Sequence, residues 1–249
     1  MALRFPTFVV IGAAKSGSTS LYYYLKQHPQ IFMSPVKEPR FVALEGHALD
    51  FRGPGDKRVR ETTVTTLEGY QRLFDGVRDE RAAGEASVLY LHHPDAAVSI
   101  ARYVPDVKLI ALLRDPSERA YSAFLYHTRD GHEPLATFEE ALDDEARRLA
   151  AGWYHGWGYR DFGFYHRHLS RYFGRFDADR IRVYLTEDLD RAPHQLVEVG
   201  ARRSIRTAQS RWTKPAEHLP CGYIAKSTDR DRFVLVANCS SSRRGAIMP

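Results

Sequence analysis

The chain has 249 residues, enough to bury a full α/β core without disulfides or a structural metal. Hydrophobic residues make up 43% and charged residues 27%, which excludes wholesale disorder, collagen and coiled coil. The net charge of +5 belongs to the tail: residues 201–249 hold ten Lys/Arg against three Asp/Glu, while residues 1–200 carry −2, so the charge is no nucleic-acid footprint of the folded part.

No apolar run approaches the roughly 18 to 20 residues of a membrane span. The first strand pattern begins within a few residues of Met1, which leaves no room for a secretory leader. Two cysteines, Cys221 and Cys239, make neither a disulfide framework nor a four-ligand zinc site, so a reducing cytoplasm is the expected location.

Residues 7–11 (TFVVI) are a short, β-branched apolar run and read as a buried parallel strand. A Gly/Ser loop follows, then a predicted helix over 19–27 and a short strand over 31–33. Residues 46–66 show no period and read as loop. A helix is predicted over 67–74, a strand over 86–91 and a helix over 94–103. Residues 107–113 form the second strong buried strand. Asp115-Pro116 then supplies an N-cap and a first-turn proline for a helix running to about residue 128. Helices are predicted over 138–150 and 162–173, and a strand over 181–185. Strands alternating with helices argue for a three-layer α/β fold, a central parallel sheet covered by helices on both faces. The pattern degrades after residue 200, where only residues 233–237 look like core. The expected division is therefore an α/β domain over 1–200 and an atypical basic tail over 201–249.

The sharpest chemical signal is Gly12-Ala13-Ala14-Lys15-Ser16-Gly17-Ser18-Thr19, set between the first strand and the first helix. Glycines admit a phosphate to the backbone, and a helix N-terminus offers N–H groups and a positive dipole end. The hydroxyls of Ser16, Ser18, Thr19 and Ser20 add donors. Against the Walker pattern, Gly12 and Gly17 have the right spacing, but Ser18 occupies the lysine position and the only lysine, Lys15, sits inside the loop. That displacement weighs against an ATPase or GTPase while leaving phosphate binding intact. A second station is Arg114, at the carboxyl end of the strand over 107–113, where ligands gather in open α/β sheets. Ser122, eight residues on, is just over two helical turns away and shares a face with the helix start.

The loop resembles the 5′-phosphosulfate loop of sulfotransferases that use 3′-phosphoadenosine 5′-phosphosulfate (PAPS), in their bacterial and carbohydrate-sulfotransferase-like branch. The likeness continues in order through His28-Pro29, Pro35-Val36-Lys37-Glu38-Pro39-Arg40-Phe41, and Gly84-Glu85-Ala86-Ser87-Val88-Leu89-Tyr90-Leu91. It resumes at Arg114-Asp115-Pro116-Ser117-Glu118-Arg119-Ala120-Tyr121-Ser122, Phe173-Gly174-Arg175-Phe176 and Glu187-Asp188-Leu189. The resemblance implies a three-layer P-loop-type α/β fold with a central parallel sheet flanked by helices, and in-line transfer of a sulfuryl group from PAPS to a hydroxyl or amine, releasing 3′-phosphoadenosine 5′-phosphate. It places Lys15, Ser16, Gly17, Ser18, Thr19 and Ser20 on the 5′ side of the donor, and Arg114 and Ser122 on its 3′-phosphate. Lys15 meets the charge on the departing phosphate, and Glu38 is the candidate base. His92 and His93 are rival bases, and a solvated Glu38 paired with Lys37 or Arg40 is the plain alternative.

The scheme calls for no metal, and His155, His166 and His168 do not make one: positions 166 and 168 do not share a helix face. The acceptor stays open among carbohydrate, phenol, lipid and peptide; no nucleic acid is expected. Residues 153–159 (WYHGWGY) suit either an acceptor pocket or core packing. Arg40 stands where the family often has His, and Ala86 and Val88 where the glycosaminoglycan branch tends to have Lys and Pro, which points away from a heparan-type acceptor. After residue 200 only Arg243-Arg244-Gly245 faintly matches the family's closing basic loop. Two other readings stand beside the transferase: a P-loop nucleotide kinase or NTPase, and a non-catalytic donor-binding relic of the fold.

Overall fold

A computed structural model describes residues 5–191. The basic tail, Cys221, Cys239, residues 233–237 and the Arg243-Arg244-Gly245 match lie outside the described residues.

The order of elements is β1 (Phe8–Gly12), α1 (Ser18–Lys26), β2 (Ile31–Met33), α2 (Phe41–Leu44), α3 (Asp56–Thr62), α4 (Leu67–Arg72) and β3 (Ala82–Ala86). The chain continues through α5 (Ala96–Tyr103), β4 (Lys108–Leu113), α6 (Pro116–Arg129), α7 (Phe138–Asp143), α8 (Glu145–Ala150), α9 (Tyr165–Phe173), β5 (Ile181–Leu185) and α10 (Thr186–Arg191). Among the described residues the strands form one parallel sheet in the order β2-β3-β1-β4-β5. β1 is central, and the chain fills one side of it before crossing to the other.

The continuous apolar runs of β1 and β4 follow from burial on both faces. Val9, Ile11, Leu109, Ala111 and Leu113 point into a core with Phe41, Tyr70, Phe74, Ile100, Tyr165, Leu169 and Tyr172. Phe8, Val10, Ile110 and Leu112 point to the opposite face, against Leu21, Tyr22 and Leu25 of α1 and Leu189 of α10. This alternation makes the three layers predicted from the sequence. A third cluster joins Ala120, Ala123 and Phe124 of α6 to Ala141, Trp157 and Tyr159.

Three sequence expectations are corrected. The strand read over 86–91 lies earlier, at Ala82–Ala86. Its AAGEA sequence has poor strand propensity and offers no pattern, but small residues are what the packing demands: a side chain at Gly84 would collide with the Phe8 ring. The apolar run at 88–91 is buried as a turn. Ser87 N–H donates to Val10 O (3.0 Å) and Leu91 N–H to Ile11 O (2.8 Å). The single helix read over 138–150 is two, α7 and α8, joined at Asp144. The loop read over 46–66 contains α3, anchored through the buried Asp56, which accepts from the Gly53 and Tyr154 N–H groups (2.8 Å each) and Trp157 Nε1 (3.1 Å).

Candidate active site

β1, β3 and β4 run parallel and adjacent, so their carboxyl ends deliver three segments to one end of the sheet. Open α/β sheets bind ligands there, where the strand order switches direction. β1 delivers the loop 12–17, β3 the turn 87–91, and β4 Arg114 and the start of α6.

The loop turns into α1 through Gly17, whose φ of +93° is left-handed. A Cβ at Gly17 would also lie 2.8 Å from Leu189 Cδ2. Glycine meets both demands. No side chain caps α1, so its first N–H groups stay available to an anion. Thr186 Oγ1 shares its one proton between Ser16 O and Leu113 O (3.1 Å each), tying the loop to the end of β4.

A cleft of about 250 Å³ is lined by Lys15, Gly17, Ser18, Thr19 and Ser122. It unites the two stations read from the sequence: the phosphate loop and the helix position eight residues beyond Arg114. Asp115 caps α6 through the Ser117 and Glu118 N–H groups (2.9 and 3.1 Å), with Pro116 in the first turn, and this geometry carries Ser122 to the cleft.

Lys15 is in a left-handed conformation (φ 64°), with Nζ 4.3 Å from the centre of the Tyr126 ring. No carboxylate among the described residues lies within ion-pair distance of it. Burial, and then the nearby Arg129, hold the ammonium below its ordinary pKa; Asp130 opposes them and Arg114 adds to the lowering. The Arg129 guanidinium stands 5.0 Å from the Tyr126 ring centre. Sequence reasoning missed Tyr126, Arg129, Asp130 and Thr186. They are spread over α6, its C-terminal end and α10, and no motif links them to the loop.

The other expected site residues are arranged less directly. Ser16 is wholly buried beneath the loop, and Ser20 is exposed. Arg114 does not line the cleft; its Nε donates to Glu118 Oε2 at 3.1 Å.

Glu38 is also outside that lining, but it is held at the end of the neighbouring strand. Its N–H donates to Ala86 O (2.9 Å), its Oε2 accepts from Val88 N–H (3.0 Å), and its Oε1 pairs with Lys37 Nζ (2.8 Å). The pairing with Lys37 is the plain alternative foreseen for this residue, yet the side chain is only 15% exposed and fixed by backbone, not solvated. Arg40 donates to the Glu38 carbonyl (2.8 Å) and faces the Tyr154 ring.

The rival bases are buried. His92 is buried against Phe162, and burial, then His168 and His155, keep it well below the usual imidazole pKa. Burial pushes His93 down to about 4. Arg119 is buried and donates to the Tyr159 carbonyl, a structural role. Trp157 and Tyr159 pack in the third core cluster, so that part of the aromatic segment is core.

A cleft lined by an ammonium, hydroxyls and the start of a helix has the chemistry that suits a phosphate or sulfate ester. A profile of the sulfotransferase family matches residues 6–182, and the chain belongs to that family. It is similar to the sulfotransferase from Alicyclobacillus acidocaldarius, at 40% identity and a TM-score of 0.75 over 78% of each chain. It is 31% identical over 152 residues to the membrane-associated sulfotransferase kil1 of Dictyostelium discoideum, covering 58% of this chain and 29% of that protein. It is 29% identical over 174 residues to the human bifunctional heparan sulfate N-deacetylase/N-sulfotransferase 3, covering 61% of this chain and 18% of that protein. The chain thus spans less than a third of the length of these curated relatives. Among the described residues no helix is long and apolar enough to cross a membrane.

Proposed function

We propose that the chain is a PAPS-dependent sulfotransferase acting on a hydroxyl or amine acceptor, with a cytoplasmic location in keeping with its cysteine count. The observation that carries this reading is the cleft that Lys15, Gly17, Ser18, Thr19 and Ser122 line together. These residues fit the donor: an ammonium with no acidic partner among the described residues, hydroxyl donors and an uncapped helix N-terminus suit its 5′ end, and Ser122 its 3′ end. The bound donor supplies the sulfuryl group and its departing bisphosphate.

Group transfer of this kind asks the protein mainly to position groups and stabilise charge. Lys15, seated on the Tyr126 ring with no acidic partner among the described residues, meets the growing negative charge at the loop. The N–H groups of α1 add a fixed dipole at low reorganisation cost. Glu38, locked by the Val88 N–H and Lys37, accepts the acceptor's proton. Arg114 stands beside the cleft; on this reading it exchanges its exposed ion pair with Glu118, a contact of small energy, for the donor's 3′-phosphate.

Calorimetric titration with 3′-phosphoadenosine 5′-phosphate, against ATP with Mg²⁺, tests the reading. Micromolar binding of the bisphosphate in preference to ATP supports it. Preference for ATP supports a kinase or NTPase, and binding of neither supports a non-catalytic relic. In an acceptor panel of amino sugar, phenol and hydroxylated lipid, Lys15→Ala is expected to lower kcat by about 10²- to 10³-fold. Glu38→Gln is expected to lower it by about 10²- to 10⁴-fold with bisphosphate affinity unchanged.

A further inference from the structure

The loop that carries Glu38 is conformationally costly. Glu38 (φ 66°) and Arg40 (φ 58°) are both left-handed, non-glycine residues on either side of Pro39. Such geometry persists where the surroundings over-determine it. The surroundings here are the end of β3. Ser34 N–H donates to Gly84 O (2.8 Å) and Glu38 N–H to Ala86 O (2.9 Å). Arg40 N–H donates to Ser87 Oγ (3.1 Å), and Val88 N–H donates to the Glu38 carboxylate.

Beneath this contact lies Glu85, wholly buried. Its Oε2 accepts from Ser87 Oγ (2.9 Å) and its Oε1 from the Tyr70 hydroxyl (3.1 Å). A serine hydroxyl has one proton and two lone pairs. Giving the proton to Glu85 turns a lone pair toward the Arg40 N–H. A buried carboxylate with no cation against it among the described residues is an expensive way to fill a strand, and Glu85 is neither on the cleft lining nor hydrogen-bonded to Glu38. What it does is aim Ser87.

We propose that Glu85 and Ser87 are positioning residues for Glu38: the chain Glu85–Ser87–Arg40 N–H clamps the strained Pro39 turn and so holds the Glu38 carboxylate on the Val88 N–H. The inference rests on Glu38 being the base, and it adds the residues that keep that base in place.

The test is amide hydrogen exchange by NMR on the full chain, with Ser87→Ala, Ser87→Thr and Glu85→Gln. Ser87→Ala is expected to speed exchange at both the Arg40 and Val88 amides by about five- to tenfold, the equilibrium weight of one neutral hydrogen bond. Exchange in β1 and β4 and affinity for 3′-phosphoadenosine 5′-phosphate should stay unchanged, and Ser87→Thr should restore protection. Glu85→Gln should act in the same direction. In the acceptor panel Ser87→Ala should lower kcat, with no further loss when added to Glu38→Gln. Unchanged exchange at Val88 in Ser87→Ala overturns the proposal, as does a general loosening of the sheet in place of a local one. Full-rate Ser87→Ala beside slow Glu38→Gln also overturns it. Full-rate Glu38→Gln overturns the assignment of the base; the exchange measurement, which needs no acceptor, then still decides whether Ser87 holds the Glu38 carboxylate.

Discussion

Glu85 sits in the middle of the protein with the hydroxyls of Tyr90, Ser87 and Tyr70 around its carboxylate and, among the described residues, no cation paired with it. Burial raises its pKa from the ordinary 4.5 to about 7, outweighing the hydrogen bonds that favour the charged form and aided by the charge of Glu38. Between those values the folded state holds a proton that the unfolded state has lost. The neutral acid is therefore fully tolerated below about pH 4.5, and stability falls as the pH rises towards 7. A displacement of that size corresponds to about 3 kcal/mol. Urea unfolding at pH 5 and pH 8 should show this loss in the natural protein and its absence in Glu85→Gln, measured as the difference between the two proteins at each pH. Equal pH dependence would show that Glu85 is not the group responsible. At the same scale, Lys15 was legible because its loop is contiguous: eight residues in a row carry glycines, hydroxyls and one cation. Tyr126, which seats Lys15, was not legible, because it lies 111 positions away on a helix whose face turns inward only after folding.

α6 shows how a local signal places a distant side chain. Asp115 accepts from two otherwise orphaned N–H groups, and Pro116 fixes the first turn. The fourteen-residue helix then presents Ser122 to the cleft and buries Ala120, Ala123 and Phe124 on its other side. Asp115→Ala is expected to cost about 1 kcal/mol of stability by thermal melting. It should also weaken binding of the bisphosphate, since the start of α6 lies between Arg114 and Ser122; unchanged affinity would separate the cap from the site. Elements whose ends are marked by such chemistry were read correctly from sequence: the start of α6, and β2 and β5 with the bounds the structure has. Elements whose identity depends on partners were not. β3 is a strand because β1 and β2 pair with its backbone on either side. α7 and α8 part at Asp144, whose N–H closes α7 on Glu140 O and which stands at the start of α8, a break that periodicity does not reveal.

At the scale of the molecule, the region beyond α6 is joined by a buried ionic centre. Arg148 on α8 and Glu133, in the loop before α7, form a two-pronged pair at 2.5 and 2.8 Å with both side chains fully buried. The Tyr159 hydroxyl donates to the same carboxylate (2.7 Å), and Asp144 accepts from Arg148 Nε (2.9 Å). Removing one partner leaves an uncompensated buried charge, so Arg148→Met should cost about 3–5 kcal/mol in urea unfolding. Adding Glu133→Leu to it should recover part of that loss, and no recovery would mean that packing outweighs charge at this centre. The sequence alone determined the layer architecture, the Gly/Ser loop between β1 and α1, the cap of α6 and the family, because each is written in neighbouring residues: an apolar run, a glycine spacing, a capping dipeptide. Tertiary structure alone decided that Lys15 and Ser122 share a cleft and that Arg114 stands beside it. It also decided that Glu38 is gripped by the turn after β3, with Glu85 and Ser87 beneath it. Those relations depend on which strands lie side by side at the carboxyl end of the sheet, and pairing between β1, β3 and β4 joins residues some 75 to 100 positions apart, far beyond the reach of any local pattern.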